Sequence, residues 1–211
     1  MRKLLLPILL LFSACQSPKT DTLTVEHVTI IDSVADRSTP APPKDSTWID
    51  GLRTFRQALY QHDIAGAARF VDFPILNPQN NIWFLAYGFD EKATAALPAT
   101  TKPFTRADFA TYFNKIFPPD FTTALLKLKT DTLYQTGYAQ SPELRKNKTT
   151  TYRLTAELDK ETQILRLNLH TNIIEKNNNG DVIDGGESTI IYEFKIIGGK
   201  DIRFVQLMLA G

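Results

Sequence analysis

From Thr149 onward the apolar residues fall at every second position, and that period restricts what the chain can fold into. Tyr152, Leu154, Ala156 and Leu158 alternate with polar residues. So do Leu165, Leu167, Leu169, Thr171 and Ile173, and then Ile190, Tyr192, Phe194 and Ile196. A period of two is the mark of a strand with one buried face. Near the C-terminus Phe204, Gln206 and Met208 oppose Val205, Leu207 and Leu209, so the last strand is expected to carry apolar residues on both faces. Asp159-Lys160-Glu161-Thr162, the stretch from Asn177 to Gly186, and Gly198-Gly199-Lys200 separate the runs. These are turn residues, and the pattern predicts an antiparallel meander of four strands joined by hairpins.

Upstream the period is helical. Trp48, Leu52, Phe55 and Leu59 follow at steps of four, three and four, one face of a helix that Asp45, Ser46 or Thr47 can cap. Asp63 opens a second, shorter helix with Ile64, Ala67, Ala68 and Val71 inward, and Phe73-Pro74-Ile75 breaks it. Residues 82–87, Ile-Trp-Phe-Leu-Ala-Tyr, are rich in strand formers and read as a strand. Residues 90–103 read as a loop with a short helical turn at 91–96. Thr105-Arg106-Ala107-Asp108 starts a helix in the manner of a capping box, with Phe109, Tyr112, Phe113 and Ile116 as its apolar face. Pro118-Pro119 ends it, and Asp120 can cap a further helix bearing Phe121, Leu125 and Leu128. Helices first and strands afterwards is an α+β order. The expected fold is N-terminal helices packed on an antiparallel sheet.

The N-terminus carries a different signal. Arg2 and Lys3 precede a nine-residue apolar run from Leu4 to Phe12, followed by Ser13, Ala14 and Cys15, the only cysteine among 211 residues. A basic start, a short apolar run and small residues make a secretory signal, and the run falls short of the roughly 20 residues needed to span a bilayer. With cysteine straight after Ser13-Ala14, this resembles a bacterial lipoprotein signal. Phe12 stands where that family favours Leu. The resemblance implies cleavage before Cys15 and a lipid on its thiol. Residues 1–14 are then the signal, 15–44 a lipidated cysteine and tether, and 45–211 one folded domain.

The tether is rich in Ser, Thr, Pro, Asp and Lys and ends in Pro40-Ala41-Pro42-Pro43. Such a coil of ~30 residues spans roughly 30 Å. Within it Leu23 to Ile30 alternates imperfectly, so a strand there is the alternative to a stalk. Gln16 is not the Asp that retains some lipoproteins at the inner membrane. The comparison implies a bacterial envelope location at the outer membrane, facing the periplasm.

The order of elements from Asp45 to Gly211 resembles the nuclear-transport-factor-2-like superfamily, also called the cystatin-like cone fold. The resemblance rests on the helix from Trp48 to Leu59, on Phe73-Pro74-Ile75, on Phe109 through Phe117, and on the strand ending Leu207-Met208-Leu209-Ala210-Gly211. It implies a sheet wrapped around a long helix with a pocket between them. Enzymes of the superfamily, of the isomerase, cyclase and dehydratase types, hold a base and an oxyanion donor in that pocket. No position here matches their catalytic motifs residue by residue, and none is carried over.

The candidate ligand-pocket residues are Trp48, Phe55, Asp72, Tyr87, Tyr112 and Phe113. Aromatic side chains with a few polar groups suit an apolar ligand, although aromatics at helical spacing also build ordinary cores. Asp72 is the candidate base, and Tyr87 or Tyr112 the candidate donor, for the enzymatic alternative. His170 lies between Leu169 and Thr171, so alternation turns it away from the core. Residues 177–187 gather oxygen ligands, but their spacing is not that of an EF-hand loop, and Asn, Asp and Gly are what a hairpin loop requires. The sequence calls for no metal and no cofactor. Net charge is +1, and without Arg2 and Lys3 the remaining 22 basic and 23 acidic side chains leave −1. That balance has no electrostatic footprint for nucleic acid. The sequence therefore predicts an envelope lipoprotein whose head binds a small apolar ligand or an envelope protein. The alternative is a cone-fold enzyme acting on a small hydrophobic substrate.

Overall fold

The computed structural model describes residues 46–176 and 182–211. Cys15, the tether through residue 44, Asp45 and the Asn-rich stretch at 177–181 lie outside the described residues. The expected α+β order is what the chain adopts: N-terminal helices pack on a six-stranded antiparallel sheet that ends in the meander. Among the described residues no helix is long and apolar enough to cross a membrane.

Helix α1 spans Trp48–Tyr60 and begins where Thr47 and Asp50 form a capping box. The Thr47 hydroxyl donates to Asp50 Oδ2 at 2.7 Å, and the Thr47 amide donates to the same oxygen at 3.0 Å. These bonds hold the Asp50 carboxyl below the usual carboxylate range. Leu52, Phe55 and Leu59 are buried, as the helical period requires. Helix α2 (Ile64–Ala68) is capped by Asp63, whose side chain accepts from the Gly66 amide at 2.9 Å. Helices α3 (Asn81–Ala86), α4 (Glu91–Ala95), α5 (Arg106–Ile116), α6 (Pro119–Lys127) and α7 (Thr130–Thr136) follow. Helix α5 has the predicted capping box, with Thr105 and Asp108 bonded reciprocally. At the start of helix α6 the N-cap position is Pro118, which makes no side-chain cap, and Asp120 lies inside the first turn instead of capping it.

Of the expected strand at residues 82–87, residues 82–86 lie in helix α3 and Tyr87 is its C-cap. An unbroken apolar run has no period to separate the two, so tertiary ties decide. Asn80 supplies them from a left-handed conformation at the start of the helix. Its amide nitrogen donates to Pro98 O and Thr100 O at 3.1 and 3.3 Å, while its oxygen accepts from the Lys102 amide at 2.7 Å. The loop at 98–102 is thus pinned over α3, and Ile82, Trp83, Leu85 and Ala86 turn inward.

The sheet comprises β1 (Tyr138–Gln140), β2 (Leu144–Arg145), β3 (Thr150–Asp159), β4 (Ile164–Lys176), β5 (Val182–Ile197) and β6 (Asp201–Ala210). The two short strands β1 and β2, and helix α7 before them, had no expected counterpart; both strands pair with β3. Three rows of side chains run across the meander. They are Leu154-Leu169-Ile190-Leu209, Ala156-Leu167-Tyr192-Leu207 and Leu158-Leu165-Phe194-Phe204. Most of these side chains are fully buried, so this face is the one that meets the helices.

The last two rows show how β6 resolves its ambiguous pattern. Tyr192 pairs with Leu207 and Phe194 with Phe204, so β6 spends one extra residue across a bulge. The alternation changes phase there, which lets both Phe204 and Leu207 point inward. Beyond β6 the segment after α2 takes the place of a further strand. Phe204 N donates to Phe70 O at 2.7 Å, Asp72 N to Phe204 O at 3.1 Å, and Leu207 N to Asn77 Oδ1 at 2.6 Å.

Candidate functional site

The space between helices and sheet is filled. Phe117, just after α5, lies within 5.4–5.6 Å of the ring centroids of Phe55, Phe121, Tyr192 and Phe204. The ring of Tyr192 stacks on Phe117 at 24°, and its hydroxyl donates to Ile116 O at 2.9 Å. Full burial pushes the Tyr192 phenol far above its ordinary pKa, so it stays protonated and serves as a donor.

The six candidate pocket residues occupy several places. Phe55 belongs to this packed interior, in edge contact with Phe70 and Phe194. Trp48 is buried against Tyr134, with centroids 5.8 Å apart. Asp72 is exposed. Tyr87 and Tyr112 do meet, edge to face at 5.9 Å, and Trp83 joins them. Lys102 covers this trio, its ammonium 3.7 Å from the Trp83 ring centre and 3.1 Å from the Tyr87 hydroxyl. The Trp83 indole N–H donates to Lys102 O at 2.9 Å, so the cluster clasps the loop onto α3.

Phe113 faces an open groove instead. The groove lies where the end of α1 meets α5 and α6, and its volume is about 230 Å³. Leu59, Phe113 and Phe117, all buried, form its floor. Tyr60, His62, Thr122 and Leu126 stand around it, and Tyr60 is 61% exposed. The lining is mainly apolar. Its shape depends on how α1 ends. His62 sits in the left-handed region at φ 53°, and Asp63 N donates to Ala58 O at 2.9 Å. Glycine is the usual residue for such a turn, since a β-carbon there costs roughly 1–2 kcal/mol. A histidine held in that conformation at the rim is a strained residue beside an open groove.

A second, polar cleft of about 160 Å³ lies on the opposite side of the sheet. Glu143, Arg153, His170, Asn172, Glu187 and Thr189 line it among other residues. His170 does face away from the core, as its place in the alternation predicts. Its Nε2 is 3.1 Å from Thr155 Oγ1 and its Nδ1 is 3.1 Å from Thr189 Oγ1. Partial burial, then the nearby Arg153 guanidinium, holds its pKa below the ordinary range, while Glu187 pulls the other way.

Sequence patterning found Phe113 but not the rest of the groove. Tyr60 and Leu126 lie off the predicted apolar faces, and the available signal was an aromatic residue left outside a helical stripe. Arg153 and Glu187 are outward residues of alternating strands, and only strand register brings them near His170. No His, Cys, Asp or Glu cluster suited to a metal ion occurs among the described residues. No protein-family model, curated protein or solved structure matches this chain.

Proposed function

We propose that this chain is a bacterial envelope lipoprotein, anchored through Cys15 at the outer membrane and facing the periplasm, whose head binds a partner protein without catalysis. The observation that carries the reading is the groove between α1, α5 and α6, open to solvent and floored by Leu59, Phe113 and Phe117. Its volume of about 230 Å³ favours a partner side chain over a whole small molecule. Pockets for whole small molecules run from roughly 300 Å³ upward. A smaller groove suits one apolar side chain projecting from a partner surface. Exposed Tyr60 at the rim agrees, because tyrosine is enriched among residues that dominate binding energy at interfaces.

Helices before a meander support keeping the head with the nuclear-transport-factor-2-like superfamily. Enzymes of that superfamily hold their base in a pocket between helix and sheet. Here Phe117, Phe121, Tyr192 and Phe204 occupy the corresponding interior, and Asp72 lies at the surface. That favours binding over an isomerase or dehydratase activity.

Toluene, the analogue of a phenylalanine side chain, tests the groove. Titrated into the isotope-labelled chain, it is expected to shift the methyl resonances of Leu59, Thr122 and Leu126 and to leave those of Leu154 and Leu169 in place. Shifts spread through the meander, or none at all, contradict the reading.

A further inference from the structure

We propose that the polar cleft on the outer face of the sheet is a second binding site, one that takes a small zwitterion, a free α-amino acid. The cleft is built by strand register. Arg153, His170 and Thr189 stand in one row across β3, β4 and β5, and Thr151, Asn172 and Glu187 stand in the next. Glu143, from the segment that leads into β2, closes one side.

A bulge sits at the end of the cleft. Asn172 pairs with Glu187 but Ile174 pairs with Asp184, so Ile173 faces two residues, Gly185 and Gly186. Gly186 has φ +111°, a conformation that side-chain-bearing residues rarely adopt. Bulges bend their strand and re-aim the adjacent side chains, and they are over-represented beside functional sites. Glu187 is the residue that follows this one, and it faces the cleft.

The charges choose the ligand. Arg153 and Glu187 both act on His170, and neither side chain makes an ion pair among the described residues. A guanidinium is suited to grip a carboxylate with two parallel hydrogen bonds. Glu187 and Glu143 offer acceptors for an ammonium, and Asn172 and Thr189 offer neutral polar groups between them. A neutral polyol has no use for one cation and two carboxylates. An anion is opposed by the two glutamates, and a cation by Arg153. A molecule carrying both charges a few bonds apart meets all three. The size agrees: about 160 Å³ equals roughly five water volumes at ~30 Å³ each. His170 is occupied by its two threonines and acts as a fixed wall of the site.

The test is a calorimetric and NMR titration of the purified full chain with alanine, N-acetylalanine, alaninamide and glucose. Alanine is expected to bind, and the two blocked derivatives to bind about tenfold more weakly or worse, since each lacks one charge-assisted contact. Arg153→Gln is expected to weaken alanine about tenfold and not to weaken alaninamide, and Glu187→Gln to weaken alanine about tenfold and not to weaken N-acetylalanine. On the unmodified chain, alanine is expected to shift the amides of Thr151, Arg153, Asn172 and Thr189, a readout that does not depend on any variant folding. Equal binding of blocked and free alanine, preference for glucose, shifts elsewhere, or no binding by about 10 mM alanine overturns the proposal. The groove between α1, α5 and α6 is distant in topology from this face, so either site can fail without the other.

Discussion

Tyr192 on β5 donates a buried 2.9 Å hydrogen bond to the carbonyl of Ile116, 76 residues earlier at the end of α5. The bond joins the centre of the meander to the helical layer. It also satisfies a carbonyl in the last turn of a helix that Pro118 prevents from continuing. Tyr192→Phe keeps the ring against Phe117 and Phe121 and leaves that carbonyl without its partner. The expected cost is about 1–3 kcal/mol. A chain of this size should then melt roughly 2–4 °C lower for each kcal/mol lost. An unchanged melting temperature would mean that the bond contributes nothing net and that stacking alone aligns the layers.

His170 makes stability depend on pH. Its folded pKa lies below its ordinary value of 6.5, through burial first and Arg153 second. The unfolded chain therefore binds more protons in the window between the depressed folded value and 6.5, and stability rises with pH there. The contribution is complete above the unfolded value and is lost as pH falls through the folded one. Arg153 on β3 and Glu187 on β5 are the charged groups that face the ring. Arg153→Gln should raise the pKa measured by NMR on the imidazole protons, and Glu187→Gln should lower it. A His170 that titrates at or above 6.5 in the unmodified chain would contradict the burial seen here.

The anchor has its own check. A lipid chain gains about 0.8 kcal/mol per buried methylene, and stable attachment takes more than one chain or a second signal. Cells fed a fatty-acid analogue should label the chain, and Cys15→Ser should abolish the label. Equal labelling of both, or release of the unmodified chain into the soluble fraction, would count against a lipid on Cys15.

Sequence and structure agree where local pattern and tertiary need coincide. The rows Leu154-Leu169 and Ala156-Leu167 follow directly from alternation, and Leu52, Phe55 and Leu59 from the helical period. Agreement fails where long-range bonds decide. Ile82 to Ala86 became a helix because Asn80 holds residues 98–102 over it. The two-sided pattern of β6 arose from a bulge that no spacing rule shows. The candidate site was less legible than the fold. Phe113 was visible as an apolar helical residue, but the groove above it exists only because α1 stops at Tyr60 and turns through His62. Tyr87 and Tyr112 do meet as paired candidates, yet Lys102 engages them in holding a loop.

The central claim is that the groove beside Tyr60 receives an apolar side chain from a partner protein in the envelope. A photo-crosslinking residue placed at Tyr60 of the anchored chain in intact cells tests it most directly, with the same residue at exposed Glu157 on the outer sheet face as the comparison. One discrete protein-sized adduct is expected from position 60, none from position 157, and loss of the adduct when Leu126→Glu puts a charge into the groove. An adduct of small-molecule mass would replace the protein partner with an apolar ligand. No adduct at position 60, equal adducts at both positions, or an adduct that survives Leu126→Glu would contradict the groove as the binding site.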